Sequence, residues 1–480
     1  MRVCLICEGS YPYVAGGVSS WVQMLCRNLS DVEFVIWSIA TTRDEMSQYK
    51  YELPPNVVGV ETIYLGDAVF SAKYRKLKLT DQEQKTLRNL IRCKSHEIDW
   101  EDCLAFIKKH KDKLVDLLMS EYFYEICLEE YQQSHSTENF KEFLWSFRSM
   151  YFSLLNPLSG NIPEADIYHS LSTGYAGILG SAASYSKGRP LLLSEHGIYT
   201  REREEDIIRA EWVKGGFKEL WIEFFKKLSM ITYQQASAVT TLFRSNGELQ
   251  VELGCPREKI VTIPNGVNLQ AFRDLPCNDR LEKGCFHIGT VLRVVPIKDV
   301  KTMLLAFNIV REKLPNARLS ILGTIDESPE YYDECVALID SLQIRDVHFF
   351  GRVNVRDYMK EFDLLLLSSI SEGQPLAILE GMAAGKPFVS TNVGDCQGLL
   401  EGNPGDDLGR AGIVVPVMDS EAMANAILEC ARYPEELKKM GQVGRRRVET
   451  YYGQDLFLTK YRELYDTCYA QAAKSPEGGE

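Results

Sequence analysis

Two carboxylates, Glu372 and Glu380, carry the strongest chemical signal in this 480-residue chain. They bracket the run Glu372-Gly373-Gln374-Pro375-Leu376-Ala377-Ile378-Leu379-Glu380, which follows the strand-like stretch Asp363 to Ser368. Gly373 and Pro375 make a loop, and a helix opening near Leu376 leaves backbone N–H groups free at its start. Glu372 then stands at the helix entrance and Glu380 about one turn inside, where they meet different parts of one long ligand. Both are natural acceptors for sugar or ribose hydroxyls; the plain alternative is a helix cap and a surface acid. Two cations, Arg293 and Lys298, flank the loop after the strand-like run Phe286 to Val291. A guanidinium fork and an ammonium point charge there suit a diphosphate, unless both are ordinary surface cations. Gly16-Gly17-Val18-Ser19 sits between a strand and a helix, as an anion-approachable helix start or as a simple tight turn. Neither a Gly-x-Gly-x-x-Gly fingerprint nor a Gly-x-x-x-x-Gly-Lys-Ser/Thr loop is present, and no Asp-x-Asp triplet offers metal ligands. No metal is therefore expected.

These residues need sheets to hold them. Val3 to Cys7 reads as a strand, a helix with Val18, Val22, Leu25 and Leu29 on one face follows, and Phe34 to Ile39 is a second strand. Such alternation predicts a parallel sheet covered by helices. From about 80 to 155, proline and glycine are absent and Leu104, Ile107, Leu114 and Leu118 recur near one helical face. That segment reads as a helical insertion. Alternation resumes at Ala165 to Leu171 and Pro190 to Ser194, then again beyond a polar stretch, Asn268 to Gly284. Strands at Phe286 to Val291, Arg318 to Leu322, Val347 to Phe350 and Leu364 to Ser368 predict a second doubly wound sheet, with ligands at strand C-terminal ends.

Composition narrows the classes. Hydrophobic content of 45% and charged content of 25% are those of a globular protein. A net charge of −13 argues against a broad grip on nucleic acid. The basic clusters Lys73-Tyr74-Arg75-Lys76 and Arg445-Arg446-Arg447 read as solvated faces. No apolar run reaches the roughly 18 residues of a membrane span. Thirteen scattered cysteines suit a reducing cytoplasm, and Cys4-x-x-Cys7 reads as core packing within a strand.

Taken together, Gly16-Gly17, Ile263-Pro264-Asn265-Gly266-Val267, Arg293 with Lys298, Gly351-Arg352-Val353 and Glu372-x7-Glu380 resemble the retaining GT-B glycosyltransferases of family 4. The stretches Glu8 to Trp21 and Glu195-His196-Gly197-Ile198-Tyr199-Thr200-Arg201-Glu202-Arg203 are similar to its PelF-like subgroup, which serves Pel exopolysaccharide assembly. The resemblance implies a GT-B fold of two Rossmann-like doubly wound domains facing each other. An acceptor-side domain would span 1–275, with its helical insertion at about 80–155. A nucleotide-sugar-binding domain would span 284–452, a helix at 453–472 would cross back to the first domain, and 473–480 would be a disordered tail.

It also implies a reaction: a hexose moves with retention from a UDP-sugar, UDP-glucose first and N-acetylhexosamine donors second, to an acceptor hydroxyl in exopolysaccharide biosynthesis. Gly16, Gly17, Arg293 and Lys298 would hold the diphosphate, Glu380 the ribose, and Arg352-Val353 the base. Glu372, Gly373, Gln374, Pro375 and Leu376 would meet the transferred sugar and distal phosphate. His169 and His196 are the two histidines that could face the sugar, since Asp166-Ile167-Tyr168-His169-Ser170-Leu171 lacks the second histidine of the family's usual pattern. Gly394-Asp395-Cys396-Gln397-Gly398 stands where the family usually has a glycine pair and a later glutamate. Partners implied are a carbohydrate acceptor and membrane-bound synthase subunits that would hold a cytoplasmic protein at the inner face of the membrane. Two rivals keep the same fold: an epimerase or phosphorylase, and a donor-binding scaffold subunit.

Overall fold

The computed structural model describes residues 1–41, 48–65, 77–92, 94–133, 139–211, 213, 215–275 and 284–474. The chain forms two compact units, one of Met1–Ile263 with the residues from Lys460 on, the other of Pro264–Thr459.

The first unit is built on seven parallel strands: β1 (Arg2–Glu8), β2 (Glu33–Ala40), β3 (Val57–Tyr64), β4 (Ile167–Ser170), β5 (Leu191–Glu195), β6 (Ala238–Thr241) and β7 (Ile260–Thr262). Their order is β3-β2-β1-β4-β5-β6-β7. Val3 through Cys7 are wholly buried, because helices cover both faces and alternation has no polar side to serve. The winding direction reverses between β1 and β4, which opens a crevice at their C-terminal ends. Cys4 and Cys7 are free, buried thiols of β1.

Between β3 and β4 stand the helices Asp81–Arg92, Trp100–His110, Glu121–Gln133 and Phe140–Leu158. Leu104, Ile107, Leu114 and Leu118 are buried, in one cluster with Cys4 and Ile6 of β1. A buried lysine fastens this insertion: Lys227 Nζ, on helix Gly215–Gln235, donates to the carbonyls of Leu90 (3.0 Å) and Ile91 (2.7 Å). The Tyr151 hydroxyl donates to the same Ile91 carbonyl. The C-terminal end of Asp81–Arg92 is thus capped by a cation, as its dipole favours.

The second unit has six parallel strands, β8 (Phe286–Val291), β9 (Ala317–Leu322), β10 (Val347–Gly351), β11 (Leu364–Leu367), β12 (Phe388–Thr391) and β13 (Gly412–Val415), in the order β10-β9-β8-β11-β12-β13. Its reversal lies between β8 and β11.

Several expectations are corrected. Residues 264–275, expected in the first domain, pack with the second unit, where Val267 and Phe272 are buried. The last helix, Gln454–Lys474, enters the first unit at Lys460, and Ala473 and Lys474 continue it rather than starting a tail. Residues 475–480 and the Lys73 to Lys76 cluster lie outside the described residues. Arg447 is not a solvated cation. It is fully buried on helix Pro434–Tyr451, where Nε meets Asp406 at 2.5 Å and Nη1 donates to the carbonyls of Leu399 and Leu400. Nη2 donates to the Gly409 carbonyl, so one guanidinium organises the whole 399–409 loop. Among the described residues, no helix is long and apolar enough to cross a membrane.

Candidate active site

The two strands flanking the reversal of the second sheet deliver the candidate residues. After β8 the chain makes a short turn, Pro296–Lys298, and after β11 it makes the loop that carries Ser368 to Pro375. Ile370 N–H donates to Ile297 O (2.9 Å) and Ser368 Oγ to Lys298 O (2.8 Å), which locks the two loops side by side. Lys298 Nζ consequently meets Glu372 Oε1 at 2.5 Å, and Ser369 Oγ donates to the same oxygen at 2.6 Å. Both charged side chains are mostly shielded, 16% and 12% exposed, so the pair works in a medium that strengthens it. Helix Leu376–Ala383 starts three residues beyond Gly373, with Pro375 as its cap residue and no side chain capping its first N–H groups.

Arg293 stands apart. Its guanidinium bonds Glu327 at 2.7 Å and is 59% exposed, so the two expected diphosphate cations meet different carboxylates. Gln374 also differs from expectation, because its amide is engaged within the protein. Oε1 accepts from Asn265 N–H (2.6 Å) and Nε2 donates to Asp395 Oδ2 (2.7 Å), fixing the loop from both sides. Burial pushes the Asp395 carboxyl up to about 6 despite that bond. Gly394 itself has a backbone reason. Its φ is +53°, and a Cβ there would lie 2.0 Å from the Gly373 carbonyl oxygen, so only glycine allows this approach. Arg352 is exposed and Val353 packs into the core, just past the C-terminal end of β10.

Glu380 lies on the second turn of helix Leu376–Ala383, largely buried and without a cationic partner among the described residues. Burial alone pushes its carboxyl up to about 7. Raised above its unfolded value, this group stabilises the fold most below about pH 4.5 and loses that contribution as pH climbs through about 7. Between pH 5 and 8 the wild type is expected to lose about 2–3 kcal/mol relative to Glu380→Gln. Urea midpoints across that range test this; parallel profiles for the two proteins would contradict it.

In the first unit the histidines separate clearly. His169 is fully buried, its Nδ1 within 2.7 Å of Tyr465 Oη and its Nε2 within 2.7 Å of Ser194 Oγ. With burial holding it down at about 3, it is a neutral core residue with no nitrogen to offer a sugar, which corrects its place among the candidates. His196, just past the C-terminal end of β5, keeps an enclosed Nε2 with no hydrogen-bond partner, and burial lowers it to about 4. Part of its surface remains exposed, and Trp21 packs edge-on against its ring at 4.8 Å between centroids. Trp21 belongs to helix Gly17–Asn28, which Gly16 and Gly17 open. Both glycines are exposed, and a Cβ at either would meet nothing within 4 Å. Packing does not demand glycine there.

Sequence reasoning assigned no role of their own to Ser369, Asp395, Glu8 and Glu195. A signal existed for the last two: each is a lone carboxylate closing an otherwise apolar strand. A groove of about 740 Å³, lined by Gly284, Phe286, Asp363, Lys386 and Arg445, opens where the strands of the second sheet begin and holds none of the candidate residues. Among the described residues, no group of three or more His, Cys, Asp or Glu is placed to hold a metal ion.

Residues 1–258 match the family described as Domain of unknown function (DUF3492), and residues 282–432 match Glycosyl transferases group 1. The chain is similar to the MMP alpha-(1->4)-mannosyltransferase of Mycolicibacterium hassiacum, 23% identical over 66% of this chain and 74% of that protein. It is 25% identical to the amylovoran biosynthesis glycosyltransferase AmsK of Erwinia amylovora, over 45% of this chain and about half (53%) of that protein's length. In fold it resembles Anabaena Alr3699/HepE in complex with UDP, with a TM-score of 0.62 and 14% identity over 97% of this chain and 100% of that one. Sucrose-phosphate synthase from Thermosynechococcus elongatus gives the same TM-score at 16% identity, over 98% and 99% of the two chains. The DUF3492 match covers more than half of the chain, and the group 1 match covers the second sheet that carries Lys298, Glu372 and Glu380. The chain therefore belongs to the DUF3492 family, with a GT-B-like fold whose second sheet matches the group 1 glycosyl transferases.

Proposed function

We propose that this glycosyltransferase moves a hexose from a UDP-sugar, with UDP-glucose the first choice, to an acceptor hydroxyl, retaining configuration, in exopolysaccharide biosynthesis. The observation that carries the reading is the Lys298–Glu372–Ser369 cluster at the reversal of the second sheet, beside the uncapped start of helix Leu376–Ala383. Breaking the bond between C1 and the donor phosphate puts negative charge on the departing diphosphate. An ammonium and free helix N–H groups are aimed at such charge without reorganising, which is the main catalytic need of this reaction. The acceptor oxygen bonds to C1 on the face the diphosphate leaves, and its proton passes to the leaving phosphate oxygen. Glu372 meets the sugar and Glu380 the ribose. No carboxylate acts as a covalent nucleophile, unlike in retaining glycosidases.

A UDP donor is favoured by the Anabaena structures of the same fold in complex with UDP and with UDP and glucose, and a polysaccharide acceptor by relatives such as AmsK. The PelF-like stretches around Glu8 and Glu195 support a role in Pel-type assembly, at the inner face of the membrane through synthase partners. Isothermal calorimetry is expected to give UDP an affinity well above those of ADP and GDP. That affinity should persist in EDTA, since cations of the chain do the work of a metal clamp. Equal affinity for all three nucleotides sinks the donor assignment, and binding restored only by manganese or magnesium sinks the metal-free one.

A further inference from the structure

The histidine loop of the first unit is gripped at both ends by carboxylates, Glu195 buried and Glu8 partly so, neither in an ion pair among the described residues. Glu195, 3% exposed, ends β5 and immediately precedes His196. Its Oε1 accepts from Tyr199 N–H (3.1 Å) and Thr173 Oγ1 (3.4 Å), and its Oε2 from Tyr233 Oη (2.7 Å) and Gln250 Nε2 (3.0 Å). Burial raises its carboxyl, while these bonds pull the other way. Four neutral donors from four separate elements converge on one carboxylate.

Tyr199 carries the grip onward. Its hydroxyl donates to Glu8 Oε1 at 2.7 Å, at the C-terminal end of β1. Glu8 Oε2 accepts from Ala176 N–H (3.0 Å) and Ser172 Oγ (3.2 Å), in the segment after β4. Glu8 therefore spans the reversal of the first sheet, where a doubly wound sheet binds its ligand. The Tyr199 ring lies directly over Gly174: a Cβ there would sit 2.2 Å from Tyr199 Cζ. The three residues between the carboxylate of Glu195 and the backbone of Tyr199 are His196, Gly197 and Ile198.

Burying a carboxylate among neutral groups is unfavourable compared with an apolar residue, so its retention asks for another purpose. Here the two carboxylates fix both ends of the loop in which the enclosed His196 Nε2 has no hydrogen-bond partner. We propose that Glu8 and Glu195, acting through Tyr199, form a clamp that positions His196 for donor turnover. They are positioning residues, since neither has an oxygen left free of these bonds, and the proposal rests on the donor-turnover reading above.

The test follows UDP released from UDP-glucose by the full chain, with melting temperature recorded for every variant. Tyr199→Phe deletes one hydroxyl and leaves the Glu195 contact to its backbone; Gly174→Ala pushes the same ring off Glu8 without altering any charge. Each is expected to lower kcat roughly ten- to a hundredfold, with KM for UDP-glucose within about twofold, because misplacement of a group acts on turnover. Neither should slow turnover further in a His196→Ala background. Glu8→Gln, which keeps an acceptor oxygen for Tyr199, is expected to recover part of the rate lost in Glu8→Ala. Equal loss from Tyr199→Phe with and without His196 would overturn the clamp, and so would wild-type kcat in Tyr199→Phe when His196→Ala is slow. Wild-type turnover in His196→Ala would instead remove the reading of His196 on which the clamp depends.

Discussion

Lys298→Ala is expected to lower turnover of UDP-glucose by about a hundred- to a thousandfold, the general scale for removing one preorganised group that faces developing charge. Glu372→Ala should lower it comparably, and the double variant should be little worse than either single one. Lys298 and Glu372 share one ion pair at 2.5 Å, so removing one partner already leaves the other without its function. Arg293→Ala should have the smaller effect of the two cations, since its guanidinium faces Glu327 in solvent. UDP affinity separates the carboxylates: Glu380→Ala is expected to lose it and Glu372→Ala largely to keep it. The reverse order exchanges their roles. Full additivity of Lys298→Ala and Glu372→Ala would mean they do not act on the same charge, and wild-type turnover in both would move the site elsewhere.

The largest expected effect on stability lies far from that chemistry. Arg447→Ala should destabilise the second unit by about 3–5 kcal/mol, because it removes the counter-charge of a shielded carboxylate and a donor from three carbonyls at once. Burial alone would raise the Asp406 carboxyl, yet its bonds to Arg447 and Leu408 N–H hold it below the usual value. That contribution is present above the ordinary aspartate value and is lost as pH falls beneath it. A drop of roughly 10 °C or more in the melting temperature follows for a unit of this size, measurable by calorimetry. Arg447→Met combined with Asp406→Leu should regain part of the loss, since an apolar pair of similar volume leaves no charge behind. A change within about 3 °C for Arg447→Ala would show that the loop is held by something else.

What could be read from the chain followed the range of the interactions involved. The apolar runs at Val3 to Cys7 and Phe286 to Val291 announce buried parallel strands, and the helical period at Leu104, Ile107, Leu114 and Leu118 announces the insertion, because burial of neighbours is a local pattern. Glu372 and Glu380 were legible for the same reason, standing at a strand-to-helix junction. His169 was not, since its partner Tyr465 lies 296 residues away. Arg447 sits among charged neighbours on a polar helix and reads as surface, while its acceptors come from a loop some 40 residues earlier. Gln374 looked like a ligand contact because nothing near it in sequence hints at Asn265, 109 positions before it. Arg293 and Lys298 are five residues apart, but an intervening turn sends them to different carboxylates.

The lysine beneath the insertion sets a limit on how this protein can be remodelled. Lys227 is 4% exposed, and its ammonium donates to two carbonyls of the insertion, those of Leu90 and Ile91. Excising the four helices would take these two acceptors from a buried ammonium, a cost that trimming of loops does not repair. The insertion and helix Gly215–Gln235 are therefore a single inheritable piece: a lineage that sheds the one must first neutralise the other. Chimeras that swap this insertion between relatives should be more stable when residue 227 travels with it.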